Sequence, residues 1–190
     1  LIDYYNQIPV IQFMFDGTEA DDIIAYVANH KLLESYQKII LSSDKDFFQL
    51  LDGKTVLYRP IQKEILNKKS IVEKFDIHPA NFAMARAMAG DKSDNIDGVP
   101  GLGLKTISKR FPFLKEERTA NFSDVLDHCR EQLKEKNIKA FTEVLENEAV
   151  LKRNYKMMQL YAPILTIKAK KVIGETLRQP DQSFNKTEII

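Results

Sequence analysis

The fold class this sequence predicts is α/β, with a mostly parallel sheet first and a purely helical region after it. Apolar runs of strand length alternate with helical stretches between Ile8 and Tyr58, the pattern of strand–helix–strand crossovers. From Ser70 onward the apolar period becomes helical. Carboxylates recur where the predicted strands end, and in open α/β sheets ligands bind at the carboxyl ends of strands.

Ile8-Pro-Val-Ile-Gln-Phe-Met-Phe15 is a continuous apolar run that fits a parallel strand covered on both faces. Asp16-Gly17 breaks it. Thr18 is the expected cap of a helix from Glu19 to about Leu33, with Ile23, Ile24, Val27, Ala28 and Leu32 inward. Lys38-Ile-Ile-Leu-Ser42 reads as a second buried strand, followed by Ser43-Asp-Lys-Asp46 and a short helix from Phe47 to Leu51. A turn at Asp52-Gly53 leads to a third strand, Thr55-Val-Leu-Tyr58. Ser70-Ile-Val-Glu73 matches a capping box, read as structural only. Pro79 opens a helix that Gly90 closes. Further helices are expected from Lys105 to Phe111, Ser123 to Lys136, Ile138 to Asn147 and Ala149 to Leu160. From Ala162 the pattern is weak, and Lys168, Lys170 and Lys171 read as a solvated basic face.

A chain of 190 residues accommodates one sizeable domain, or an α/β layer with a small helical appendage. Its 44% hydrophobic and 29% charged residues are ordinary for a soluble globular protein. The net charge of +1 conceals a segregation: acids crowd the turns of the first half, whereas residues 102 to 114 carry Lys105, Lys109 and Arg110 and no acid. A local basic patch of this kind suffices for a nucleic-acid partner. Cys129 is the one cysteine, so no internal disulfide forms, and its place on a helix face suits a small buried residue. No run approaches the roughly 20 apolar residues of a membrane span, and no signal peptide is visible. A reducing cytoplasm is the expected setting (the host cell's, if the chain is phage-encoded). The chain starts at Leu1 without Met and ends without an evident stop, and is read as a fragment.

Three acidic groups stand out: Glu19-Ala-Asp21-Asp22, Asp44-Lys-Asp46 and Asp91-Lys-Ser-Asp94. Each has a plain structural explanation. Thr18-x-x-Asp21 and Ser43-x-x-Asp46 match capping boxes, and acids in a first helical turn suit the macrodipole. Capping needs one acid per helix start, however, and here seven acids fall in three turns. Brought together, they repel unless multivalent cations neutralise them. Oxygen ligands without His or Cys favour Mg²⁺ or Mn²⁺ over zinc. Two such ions about 4 Å apart are a known device for phosphodiester hydrolysis, activating water and stabilising charge on the phosphate. His30, His78 and His128 fall outside the clusters.

Gly98-Val-Pro-Gly101-Leu-Gly103-Leu-Lys-Thr106 admits three explanations. A phosphate loop needs Gly immediately before Lys-Thr, but Leu104 intervenes. A dinucleotide fingerprint would need a third glycine in register and a preceding strand. A helix–hairpin–helix fits better: the glycines let backbone approach a phosphate, and Lys105, Lys109 and Arg110 add charge. Contacts of that kind position a duplex without reading its sequence.

Taken together, Glu-Ala-Asp-Asp (19–22), Ser-Asp-Lys-Asp (43–46), Gly-Asp-Lys-Ser-Asp-Asn (90–95) and the glycine stretch (98–106) resemble the 5′-nuclease superfamily. That group includes flap endonucleases, the 5′-exonuclease domain of bacterial DNA polymerase I and phage ribonuclease H. The third and fourth motifs and Arg153-Asn-Tyr-Lys-Met-Met-Gln-Leu160 look most like the phage ribonuclease H branch. The resemblance implies a PIN-like nuclease core, here its C-terminal part over residues 1–76. A helix–three-turn–helix DNA-binding domain would follow over 77–165, with an unassigned tail over 166–190. It implies that Asp21 and Asp44 hold a first metal ion, with Glu19 and Asp22 beside it, and that Asp46, Asp91 and Asp94 surround a second. Asp21, Asp44 and Asp91 are the acids on which catalysis would depend. Gly98, Gly101, Gly103, Lys105, Thr106, Lys109 and Arg110 would hold duplex DNA, and the hairpin would also bind K⁺ through backbone oxygens.

The implied activity is 5′–3′ exonuclease, flap endonuclease and ribonuclease H cleavage at the 5′ ends of DNA or RNA–DNA duplexes. The expected role is primer removal in replication, with a sliding clamp and single-strand-binding protein as partners and no membrane. Two further metal-binding Asp residues and a basic helical arch belong upstream in this family, and Asp97 stands where it commonly has proline. The contrasting expectation is a non-catalytic duplex-binding module whose acids only cap helices.

Overall fold

The computed structural model describes residues 10–178. They fall into two compact units, one made of the segment ending at Glu34 and the segment starting at Pro163, the other of Ser35–Ala162. The architecture is mixed α/β, a small sheet followed by many helices.

In the first unit, helix α1 (Ala20–Ala28) buries Ile23, Ala25 and Ala28. It begins one residue later than predicted. Gly17 adopts φ 68°, and the Thr18 amide bonds the Phe15 carbonyl at 3.2 Å. Glu19, without a side-chain hydrogen bond, is therefore the cap. The predicted Thr18 capping box does not form. The helix also ends early, because His30 Nδ1 accepts the Leu32 amide at 3.2 Å and starts a separate 3-10 turn, Lys31–Leu33. The predicted strand over 8–15 is corrected as well. Residues 10–15 form no strand, with Ile11 55% and Met14 81% exposed, and residues 8 and 9 lie outside the described residues.

The second unit opens with β1 (Lys38–Leu41), parallel to β2 (Thr55–Arg59). Asp52 starts β2 by accepting the Lys54 and Thr55 amides at 2.7 and 2.6 Å. An unpredicted strand, β3 (Glu64–Leu66), returns antiparallel to β2 through a turn in which Lys63 takes φ 52°. Ile40, Leu57 and Leu66 align in register on the buried face. Ile39, Leu41 and Ile65 point the other way and are exposed, so β1 is covered on one face rather than two.

Helix α2 (Lys68–Phe75) is capped reciprocally by Asn67 and Ser70, each side chain taking the other's amide. This corrects the Ser70–Glu73 box: the helix starts earlier, and Ser70 sits in its first turn. Phe75 meets Phe48 and Phe82, ring centroids 5.1 to 5.6 Å apart. Fully buried Phe48 and Phe82 each contribute roughly 1.5–3 kcal/mol by burial. A 3-10 turn, Pro79–Asn81, leads into α3 (Phe82–Ala89), whose residues through Met88 are all buried. After a two-residue hairpin pair, β4 (Gly90–Asp91) and β5 (Ile96–Asp97), come α4 (Leu104–Arg110), α5 (Phe122–Glu135), α6 (Lys139–Glu146) and α7 (Glu148–Met158). Phe111, Phe113, His128 and Phe141 form a second aromatic core beneath α4. Cys129 is fully buried on α5.

The first unit is completed by α8 (Ile167–Thr176), where Thr166 caps the helix by accepting the Ala169 amide at 3.1 Å. No helix among the described residues is long and apolar enough to cross a membrane.

Candidate metal centre and nucleic-acid interface

β1 delivers its chain into the turn 42–46, which is held from both sides. Ser42 bonds the Tyr58 carbonyl through its amide at 3.1 Å, and its hydroxyl accepts the Asp44 amide at 3.1 Å. Asp44 Oδ1 in turn accepts the Asp46 amide at 2.8 Å. Arg59 on β2 donates to the Ser43 carbonyl at 3.2 Å while pairing with Glu64 at 2.8 Å. The Ser43 hydroxyl goes to Gln62, so the predicted Ser43–Asp46 capping box does not form. Asp46 then begins a 3-10 helix, Asp46–Leu50, anchored by buried Phe47 and Phe48. That anchor fixes where its carboxylate points.

Asp91 reaches the same place from α3. The helix ends at Gly90, which takes φ 74° and lies so close to the returning strand that a Cβ there would meet Gly98 N at 2.3 Å. A Cβ on Gly98 would likewise meet the Ala89 carbonyl at 2.3 Å. Only two glycines allow this crossing. The turn between them takes Asn95 through φ 55°.

One carboxylate oxygen each from Asp46, Asp91 and Asp94 lies within 4.8 Å of the others. Asp46 and Asp91 are mostly buried, and Asp94 is exposed. Between the first two sits a residue that the sequence patterns did not single out. Arg86 on α3 is 7% exposed, donates through Nε to Asp46 Oδ1 at 3.0 Å, and bonds Asp91 Oδ2 through Nη2. Its signal in the sequence was a lone cation among Phe, Ala and Met in a buried helix. Asp91 Oδ1 takes the Ser93 amide at 2.9 Å and the Ser93 hydroxyl.

The two acids titrate in opposite directions. Burial opposes the charge of Asp91, but the Ser93 and Arg86 hydrogen bonds outweigh it and hold its carboxyl at about 2. Burial pushes Asp46 above the usual carboxylate range; Arg86 opposes this, while the charges of Asp44 and Asp91 add to it. An all-oxygen donor set of this charge fits a hard divalent cation.

Glu19, Asp21 and Asp22 belong to the first unit, at the start of α1. Asp22 Oδ1 accepts the Ile164 amide at 3.0 Å, so this carboxylate pins the returning chain ahead of α8.

Next to the acids, the glycine stretch folds as a tight connection into α4. The Val99 amide bonds the Met88 carbonyl at 2.8 Å, Gly101 takes φ 77°, and the Gly103 carbonyl accepts the Thr106 and Ile107 amides. Val99, Leu102 and Ile107 are buried, leaving Gly101, Gly103, Lys105, Lys109 and Arg110 exposed and Thr106 half-buried. Lys105 and Lys109, four residues apart, share one helix face and Arg110 ends the helix, and none of the three has a carboxylate salt-bridge partner among the described residues. Asn154 on α7, fully buried, ties this region together by donating to the Ala87 carbonyl at 3.1 Å and the Asp97 carbonyl at 2.8 Å. Asn154 stood out in the sequence only as part of the 153–160 stretch, with no role of its own, and Arg59 did not stand out at all, since each acts on backbone carbonyls brought close only by the fold.

Comparison with known proteins finds relatives of this geometry. Residues 2–76 match the model of the 5′-3′ exonuclease N-terminal resolvase-like domain. The 5′-3′ exonuclease of Aquifex aeolicus is 35% identical over 99 residues, covering 52% of this chain and 34% of that protein. Over 145 residues the thermostable DNA polymerase I of Thermus thermophilus is 32% identical, covering 70% of this chain and 17% of the polymerase. Among solved structures, bacteriophage T5 flap endonuclease, in a pseudo-enzyme–product complex with DNA and metal ions, superposes with a TM-score of 0.69. It is 26% identical, and the match covers 88% of this chain and 62% of that one. T5 5′-exonuclease with bound zinc also gives 0.69, at 25% identity and 87% and 60% coverage. In its sequence and its fold this chain is similar to the 5′-nuclease superfamily. It spans about a third or less of the length of these curated 5′-nuclease relatives.

Proposed function

We propose that the protein from which this chain comes is a divalent-metal-dependent 5′ nuclease that hydrolyses phosphodiesters at 5′ ends or flaps of duplex DNA and of RNA–DNA hybrids, as in primer removal. The carrying observation is the approach of Asp46, Asp91 and Asp94 to within 4.8 Å, on a backbone crossing shared with an exposed cationic helix. Asp46, Asp91 and Asp94 would hold one Mg²⁺ or Mn²⁺ ion, and Glu19, Asp21 and Asp22 of the first unit and Asp44 of the second are the further acids proposed as metal ligands. Such ions, when bound, lower the pKa of water and stabilise charge on a phosphoryl group. The chain's own residues hold the carboxylates in place: Ser93 keeps Asp91 ionised, and the Asp44 side chain sets the backbone of Asp46. Lys105, Lys109 and Arg110 would take successive phosphates of one strand, so that a 5′ end lies against the acids. K⁺ on the hairpin carbonyls would strengthen that hold.

The reading is supported by a metal-bound and DNA-bound T5 relative. Asp22 is the acid with a structural alternative, since Ile164 already uses its carboxylate. Cleavage of a 5′-labelled flap by the full protein, with and without Mg²⁺, is the test. Asp91→Asn is expected to lower the rate at least 100-fold while duplex binding stays within a few-fold. Cleavage by Asp91→Asn at the normal rate would refute the assignment.

A further inference from the structure

Arg86 occupies a position where a charge needs a reason. Its helix neighbours from Phe82 to Met88 are all buried, and water reaches little of its guanidinium. A buried cation is retained where carboxylates satisfy its planar donor fork, and removing either partner leaves an uncompensated charge. Here the fork spends Nε on Asp46 and Nη2 on Asp91, and its remaining contact is a long one, 3.5 Å, from Nη1 to the Gly90 carbonyl. Of the four oxygens on Asp46 and Asp91, Arg86 takes two and Ser93 a third. Asp46 Oδ2 and the exposed Asp94 carboxylate remain.

We infer that Arg86 is the internal counter-ion of this acid cluster: it holds Asp46 and Asp91 together when no divalent ion is bound, and its charge and hydrogen bonds keep divalent-ion affinity there weak. The inference rests on the metal reading above and adds how that site is regulated. Without a cation, carboxylates this close repel, so Arg86 keeps the crossing of 46 and 91 intact between ion-binding events. An arriving ion meets a positive charge already in contact with two of its three ligands, and has to take over oxygens that Arg86 holds. The site is thereby organised without being permanently filled. Arg86 is a positioning residue in this account, since it acts through the two acids.

Mn²⁺ binding to the full protein, followed by electron paramagnetic resonance, separates this role from a merely structural one. Arg86→Gln removes the charge and frees both oxygens, and is expected to bind Mn²⁺ at least tenfold more tightly. Arg86→Lys keeps the charge and is expected to stay within threefold of wild type. The metal-free Arg86→Gln protein should melt at lower temperature, and Mn²⁺ should raise its melting temperature by more than it raises that of wild type. If Arg86 were only packing, Arg86→Gln would bind Mn²⁺ equally or more weakly, and that result overturns the inference. Should Arg86→Gln be unfolded without metal, refolding at Mn²⁺ concentrations that leave wild type largely unbound supports the proposal, and failure to refold at saturating Mn²⁺ overturns it. Asp94→Asn, which removes a ligand that Arg86 does not touch, tells the two readings apart. Loss of Mn²⁺ binding in Asp94→Asn with no gain in Arg86→Gln defeats only the role of Arg86. A signal identical in wild type, Asp94→Asn and Arg86→Gln defeats the metal reading together with it.

Discussion

At the scale of single residues, the molecule uses polar groups to hold backbone in places where apolar packing alone would leave it loose. Asn154 is the clearest case. Its amide donates to two carbonyls from different elements, Ala87 in α3 and Asp97 in β5, and its own oxygen accepts from Arg153 at 3.1 Å. Asn154→Ala would strand the buried Ala87 carbonyl and the part-buried Asp97 carbonyl, which costs about 1–3 kcal/mol. The urea midpoint should fall by that free energy divided by the slope m, with m itself unchanged, and an unchanged midpoint would mean that Asn154 does not tie the hairpin down. Legibility in the sequence is uneven at this scale. Acids at strand ends declared themselves because their number exceeded what capping needs. Arg86 did not, and Asn154 showed only as a letter of the 153–160 stretch without a role, because the groups that explain them are 5 to 67 residues away along the chain.

At the scale of elements, the helices between Leu104 and Met158 were read to within a residue or two, since their apolar period and end signals are local, whereas α8 lay in the stretch whose pattern was too weak to read. Gly90, read as a stop, does end α3, with φ 74°. The sheet was harder. β3 is three residues long and starts beside a left-handed lysine, so no alternation marks it. The apolar run after Ile8 has strand composition, yet strand formation needs a partner edge, which composition does not supply. α4 carries the element-scale prediction. Lys105 and Lys109 project from one exposed face, and each phosphate contact contributes nearly one unit to the salt dependence of binding. Lys105→Ala and Lys109→Ala should each flatten the slope of log affinity against log salt by about 1, and weaken binding evenly across duplex sequences. An unchanged slope would remove α4 from the interface.

At the scale of the whole molecule, two features couple stability to solution conditions. His78 accepts the Ala80 amide through Nδ1 at 3.2 Å, while its buried Nε2 has no partner among the described residues. Burial pushes the imidazole below its ordinary 6.5; Glu117 opposes this and Lys68 adds to it. The native protein thus binds that proton less readily than the unfolded chain does. Stability is level above about pH 6.5 and falls as pH drops from there through the lower folded value. Urea midpoints at pH 8 and pH 5.5 should show the loss in wild type and a smaller one in His78→Asn, which can still cap the turn. Equal losses in both would acquit His78.

The second feature is the charge balance of the acid cluster, on which the functional account depends. A crystal of the full protein soaked in Mn²⁺ and measured at the manganese absorption edge reads it directly. The account predicts an anomalous peak among Asp46, Asp91 and Asp94. Peaks confined to other surfaces, with Arg86 still bridging Asp46 and Asp91 at saturating Mn²⁺, would contradict it.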